Sequence, residues 1–272
     1  MKTILVTTDF SPAALNAANY AADMATVIHA DILLLHVFQL PISYGEVPLT
    51  INEADMMEYA QRAIEELKDK LLQKKINTIA VETEVRMGIF YRELEIVCDR
   101  VQPYTVVMGS QGTTAAERLF FGGHTVHAMQ HLPWPLITVP NGAIFSAVKK
   151  IGLACDFEKV ADTVPIDEIR TLVNDFDAAL HILNTGNEKV FDPNIVFQSG
   201  LLEEMLGDLK PEYHFITNEN KDEGIIDFAE NNHIDLLVVL PKRHSLLDKL
   251  VHKSHTKQMV LHSHVPVMAL HQ

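Results

Sequence analysis

The chain repeats itself once, and that repeat limits the folds open to it more than any other feature. Lys2-Thr3-Ile4 leads through Leu5 to Thr8 into Asp9-Phe10, and Lys150-Ile151 leads through Gly152 to Cys155 into Asp156-Phe157. Near the end of each half, Val106-Val107-Met108 matches Leu237-Val238-Val239, His124-Thr125 matches His255-Thr256, and Pro135-Leu136-Ile137 matches Pro266-Val267-Met268. These three pairs share one offset of 131 residues, so they align without a gap. Between the two ends, Leu33-Leu34-Leu35-His36-Val37 aligns with Ala178-Ala179-Leu180-His181-Ile182. The repeat divides the 272 residues into two units, 1–141 and 148–272, with the boundary near Asn141-Gly142. Units of about 130 residues are each large enough for a core of their own.

Each unit alternates strand and helix. In the first, Thr3–Thr8 is a short apolar run rich in β-formers, which predicts a buried strand. Ser11 is a good N-cap and Pro12 fits a first helical turn, so a helix starts there. Ala14, Ala17, Ala18, Ala21, Ala22 and Ala25 give that helix a small, close-packing face. Asp31–Phe38, Thr78–Val85, Tyr104–Met108 and Leu136–Val139 read as further strands. Helices are expected over Asn52–Lys75, Arg92–Arg100 and Thr125–Gln130. The second unit repeats the plan with strands at Ile151–Cys155, Ala178–Leu183, Tyr213–Ile216, Leu236–Val239 and Val267–Leu270, though the helix after Asp156 is poorer in Ala. Strands joined by helical crossovers form parallel sheets covered on both faces. The expected class is therefore α/β: two tandem doubly wound domains, each a five-stranded parallel sheet flanked by helices.

Composition narrows the partners. There are 22 Lys plus Arg against 36 Asp plus Glu, a net charge of −14 spread over both halves. Nucleic acid draws affinity from clustered cations, so it is not expected as a partner. At 47% hydrophobic and 21% charged residues the chain is not disordered. No apolar run approaches the roughly 18 residues that span a bilayer, and the short run after Met1 ends at Asp9, so neither a membrane nor a secretory route is expected. Two cysteines, Cys98 and Cys155, cannot staple a fold of this size and fit a reducing compartment. The expected location is the cytoplasm.

One segment carries a chemical signature. Met108-Gly109-Ser110-Gln111-Gly112 is followed, after nine residues, by Gly122-Gly123-His124-Thr125. It leaves a buried strand and enters a helix. Glycines there allow close backbone approach, and free N–H groups at a helix N-terminus attract an anion. Two readings stand side by side: a phosphate-bearing ligand, or a tight strand-to-helix turn without one. The segment is not a Gly-Lys-Ser/Thr P-loop, nor the Gly-x-Gly-x-x-Gly of dinucleotide enzymes.

The Gly-x-x-Gly, nine residues, then Gly pattern of Gly109, Gly112 and Gly122 resembles the nucleotide-binding signature of the universal stress protein family. The Thr8-Asp9-Phe10-Ser11 strand end, the Ala-rich first helix, Leu35-His36-Val37 and the close at Pro135–Val139 resemble that family too. The whole chain is similar to a tandem universal stress protein. The resemblance implies an adenine nucleotide, often ATP with or without Mg²⁺, as ligand. Thr8 and Asp9 would lie at its adenosine end and the Val37 backbone at the adenine. Met108, Gly109, Gly112, Gly122, Gly123, His124 and Thr125 would surround ribose and phosphates. It also implies pairing of the final strands, as in dimers of the family, so that one chain forms an internal pseudo-dimer, with a further homodimer and a protein target left open. The family usually carries Ser or Thr directly after its third glycine, where this chain has Gly123.

In the second unit the loop is lost: Gly109, Gly112 and Gly122 align with Leu240, Arg243 and Lys253, and Pro241 replaces Ser110. Pro241 removes a backbone donor. Seven of the 14 histidines lie between His233 and His271, but none has a standard metal spacing, so no metal is expected. No Lys lies between Gly109 and Thr125, and Asp9 is the one obvious carboxylate for chemistry. The expectation is a regulatory nucleotide binder and not an enzyme, with slow ATP hydrolysis or a nucleotide-free interaction module as alternatives.

Overall fold

A computed structural model describes residues 2–40, 52–74, 79–110, 122–185, 193–241 and 255–271. Its spine is a single sheet ordered β3-β2-β1-β4-β5-β10-β9-β6-β7-β8. The first five strands are β1 (Lys2–Thr7), β2 (Ala30–Phe38), β3 (Val81–Met87), β4 (Thr105–Gly109) and β5 (Leu136–Val139). The second five are β6 (Lys150–Ala154), β7 (Ala179–Asn184), β8 (Glu212–Phe215), β9 (Leu236–Val239) and β10 (Val267–Ala269). All neighbours within a half are parallel. Only β5 and β10 meet antiparallel, and there Ile137 sits opposite Met268, its own counterpart at the 131-residue offset. A residue paired with its own equivalent puts a local twofold axis at that pair. The two halves are thus joined edge to edge into one ten-stranded surface.

Helices cover both faces: α1 (Pro12–Ile28), α2 (Glu53–Lys74), α3 (Phe90–Val101), α4 (Gly122–His131), α5 (Val160–Thr163), α6 (Ile166–Phe176), α7 (Pro193–Leu206), α8 (Lys221–Asn231) and α9 (His255–His262). Each face has one continuous apolar layer, and each layer draws residues from both halves. Across the seam α1 packs on α6 and α4 on α9. Lys2 Nζ lies 2.5 Å from Asp175 Oδ1, adding a charged link between the halves. Among the described residues no helix is long and apolar enough to cross a membrane. Cys98 and Cys155 are both buried and not joined in a disulfide. Burial pushes the Cys98 thiol up to about 12, which keeps it protonated and unreactive at neutral pH.

The repeat is written into backbone geometry as well as sequence. Phe10 and Phe157 both take positive φ, 64° and 55°. The Ser11 N–H donates to Asp9 Oδ1 at 3.0 Å, and the Glu158 N–H donates to Asp156 Oδ1 at 3.0 Å. These are the short side-chain turns that Asp makes with backbone two residues on.

The structure corrects the alignment of the second strands. The Thr8 N–H donates to Leu35 O, and the Cys155 N–H donates to Leu183 O, each at 2.9 Å. Leu35 therefore corresponds to Leu183, and His36 to Asn184 and not to His181. Side chains confirm the register: His36 Nδ1 lies 2.7 Å from Thr8 O, and Asn184 Nδ2 donates to Cys155 O at 2.8 Å. His181 instead occupies the place of Leu33. The expected alignment was three residues out, an odd slip that turns every side chain to the opposite face.

Two helices also differ from expectation. α4 starts at Gly122, three residues before Thr125, so both glycines lie in its first turn. The single helix expected after Asp156 is broken at Val164-Pro165 into α5 and α6. Pro lacks the N–H that would continue the helical ladder.

α1 ends on His29, an exposed residue in the left-handed region at φ 53°, whose N–H donates to Ala25 O. Glycine takes that conformation without a Cβ penalty. His29→Gly is expected to raise stability by about 0.5–1 kcal/mol, read as a higher urea midpoint with an unchanged slope.

Candidate functional site

The strand order of the first half reverses between β1 and β4. Chain connections run outward through β2 and β3 on one side and through β5 on the other. In an open α/β sheet, ligands bind at such a switch point beyond the carboxyl ends of the strands. The register Val6↔Val107 sets Thr8 level with Gly109, so the two segments named from the sequence leave the sheet side by side.

On the β1 side, Thr8 is buried and its Oγ1 accepts from the Phe10 N–H at 3.0 Å. Asp9 is exposed, with Oδ1 occupied by the Ser11 N–H. Ser11 caps α1 by accepting from the Ala14 N–H at 3.2 Å. The Phe10 ring lies against His36, centroids 4.5 Å apart, and His36 in turn stacks on Phe38.

Val37 reaches the same crevice through its backbone. Leu35 O accepts from Thr8, while Phe38 O accepts from the Gly88 N–H on the β3 side. Alternate residues of a strand direct their peptide groups to opposite neighbours. Val37 therefore directs its N–H and C=O toward the β1 side, two residues past Leu35, where the β1 ladder ends at Thr7↔Leu35. One donor and one acceptor side by side, past the last ladder pair among the described residues, suit the hydrogen-bonding edge of a planar heterocycle.

On the β4 side, Met108 is buried in the apolar layer, so only its backbone is available to a ligand. Gly109 has a reason for being glycine that spacing did not reveal. A Cβ there would stand 2.7 Å from the backbone C and O of Ala13, in the first turn of α1. The close approach is to α1. The Ser110 N–H donates to Val139 O at 2.8 Å and closes the β4–β5 ladder. Gly112 lies outside the described residues, as do Arg243, His252 and Lys253 of the second half.

Gly122, Gly123 and His124 form the first turn of α4, so their N–H groups are among those without an intrahelical acceptor. Thr125 is buried, and its Oγ1 donates to Gly109 O over a long 3.4 Å. That contact ties the start of α4 to the end of β4. His124 is exposed, with its ring 5.1 Å from Phe90. The structure thus gathers Thr8, Asp9, Val37 and Gly109 at one crevice and sets α4 against the end of β4. Sequence reasoning missed His36, which fixes the Thr8 carbonyl, and Ala13, which dictates Gly109. The Thr8-Asp9 and Leu35-His36-Val37 segments held the first signal; for Ala13 there was none.

The counterpart in the second half differs. Leu240 and Pro241 follow β9, and the Ser110 donation has no equivalent because Pro241 has no N–H.

Comparison with known proteins follows the same division. The chain matches the Universal stress protein family over residues 1–140 and again over residues 148–271. A universal stress protein of Synechocystis sp. is 22% identical over 98% of this chain and 99% of its own length. The crystal structure of a universal stress protein from Archaeoglobus fulgidus superposes with a TM-score of 0.76 at 19% identity, covering 99% of this chain and 98% of that one. A functionally unknown protein from Pseudomonas aeruginosa gives a TM-score of 0.62 at 12% identity, covering 100% and 92%. With both halves matched and the ends of β1, β2 and β4 converging on one crevice in the first, the chain belongs to the universal stress protein family.

Proposed function

We propose that this protein is a cytoplasmic regulatory component of the stress response that binds an adenine nucleotide, ATP with or without Mg²⁺, in its first half. One observation carries the reading. At a single switch point lie the Val37 backbone, past the end of the β1 ladder, the exposed carboxylate of Asp9 and the glycine-rich first turn of α4, tied to Gly109 through Thr125. Val37 meets the adenine edge, Asp9 accepts from a ribose hydroxyl, and the N–H groups of Gly122, Gly123 and His124 face phosphate oxygens. Because the net charge is −14, these local donors hold the anion against the field of the whole protein.

A binder suits the site better than an enzyme does. Phosphoryl transfer needs positioned cations and a base or water-orienting group. The segment from Gly109 to Thr125 has no Lys and one Arg, Arg118, which lies outside the described residues. A nucleotide-free interaction module is the second reading, favoured by the packing of Gly109 on Ala13, which explains that glycine without a ligand.

Calorimetric titration of the full chain with ATP and Mg²⁺ tests the proposal. Saturable binding at one site per chain is expected. Gly123→Ser adds a hydroxyl beside the phosphates and should tighten binding about tenfold, the worth of one charge-assisted hydrogen bond of roughly 1.4 kcal/mol. Absence of heat in both proteins would leave the interaction module. Phosphate release at turnover rates would make the protein an ATPase.

A further inference from the structure

At the far end of the sheet, four strands beyond the β5–β10 seam, the second half brings together three groups with no parallel in the first. His181 on β7 lies opposite Glu212 on β8, and His214 lies opposite Leu183. Strand side chains alternate between faces, so His181, Glu212 and His214 share one face. His181 Nδ1 stands 3.0 Å from His214 Nε2 and 3.6 Å from Glu212 Oε2, and His214 Nε2 stands 4.0 Å from the same carboxylate oxygen. Among the described residues this is the one group of three or more His, Cys, Asp or Glu side chains whose ligand atoms converge.

We infer that His181 Nδ1, His214 Nε2 and the Glu212 carboxylate form a binding site for a first-row divalent cation, zinc by preference. In a tetrahedral zinc site with bonds of about 2.0–2.1 Å, ligand atoms stand about 3.3 Å apart. The three observed separations, 3.0, 3.6 and 4.0 Å, bracket that figure, so an ion requires the Glu212 carboxylate to close on His214 by roughly 0.7 Å. Two imidazoles and a carboxylate are borderline-soft donors suited to zinc, and three protein ligands leave a fourth position for water.

The surroundings prepare the ligands. His181 is 7% exposed, and its Nε2 has no hydrogen-bond partner among the described residues. Its Nδ1 is therefore the ring nitrogen that faces the other two groups, His214 and Glu212. His214 is oriented by the Phe228 ring of α8 at 4.8 Å and stacks on His181 at 5.2 Å. Glu212 is exposed and supplies a negative charge on the open side.

The corrected register shows that the set is particular to this half. The same positions in the first half are Leu33, Glu82 and Glu84. There Leu33 is core, and Glu84 is taken by Arg86 and Arg100. Residues 181, 212 and 214 are too far apart in sequence to form a recognisable spacing, which is why none was expected.

Metal-stripped full-length protein, dialysed against Zn²⁺ and then Co²⁺, tests the site. One Zn²⁺ per chain is expected, and the Co²⁺ form should show the intense visible absorption of a tetrahedral complex. His214→Gln keeps a hydrogen-bonding partner for His181 but removes the imidazole ligand. It should weaken binding by at least about a hundredfold and abolish the tetrahedral spectrum, since loss of even an outer partner costs 10–100-fold. Glu212→Gln, at an exposed position, should weaken binding in the same direction with the fold intact by circular dichroism. His131→Ala, which removes a second close histidine pair among the described residues, His127 and His131 stacked at 4.4 Å on α4, should change nothing. Absence of stoichiometric zinc, binding unaltered in His214→Gln, or binding lost in His131→Ala would each overturn the assignment.

Discussion

Met268→Asp is expected to destabilise the protein by about 5 kcal/mol or more, enough to unfold a chain of ordinary stability. Met268 is 2% exposed and stands directly opposite Ile137, which has no exposed surface, at the twofold seam of the sheet. The substitution puts a carboxyl group into an apolar layer, so it must either lose its solvation or take up a proton. The layers on both faces run through both halves, so a defect at the seam is felt on either side. A urea titration by circular dichroism should show one transition, moved to low urea over its full amplitude. Met268→Leu, nearly equal in volume, should cost less than about 1.5 kcal/mol. A surviving transition of half amplitude at the original midpoint would mean that the halves fold independently.

That seam rests on elements that could be read in the sequence. Leu136–Val139 and Val267–Leu270 are short apolar β-rich runs behind Pro135 and Pro266, and both became strands within a residue of expectation. Short apolar runs give existence and type well, because a buried strand must be apolar on both faces. The same property hides register. Leu33-Leu34-Leu35 offers no polar marker to fix a phase, and the two histidines His36 and His181 supplied a false one. Only the ladder hydrogen bonds show that Asn184 does the work of His36.

The site was legible to a similar depth. Thr8, Asp9 and Val37 lie where the strand pattern put them, because the carboxyl end of a strand is fixed once the strand is. The helix start at Gly122 was not legible, since Gly ranks near the bottom of helix propensity and its place in a first turn depends on tertiary contacts. The break at Val164-Pro165 was legible in principle, for Pro ends helices, but the repeat suggested continuity and outweighed it. His181, Glu212 and His214 could not be joined from sequence, because they lie on two strands with a helix between them.

Gly109 is where the sequence pattern and the physical cause part, and there the second large effect is expected. Gly109→Ala should destabilise by about 3 kcal/mol and Gly109→Val by more, in the absence of any nucleotide. The added Cβ would stand 2.7 Å from Ala13 C and O and 3.1 Å from Ala14 N. These are backbone atoms, which no change of rotamer can withdraw. α1 cannot easily move aside. Ser11 caps it, and Asn16 Nδ2 donates to Pro140 O and Ala143 O, each at 3.1 Å. Its small Ala face is already fully buried against the sheet. Relief requires the first turn of α1 to shift, and Asp9 moves with it through the Ser11 N–H. Loss of ATP binding in Gly109→Val would therefore not place a phosphate at Gly109, whereas tighter binding in Gly123→Ser reports on the α4 turn without disturbing α1. Denaturant midpoints of ligand-free Gly109→Ala and unmodified protein settle the matter. Equal midpoints would mean that α1 yields freely, and the glycine would then belong to the ligand.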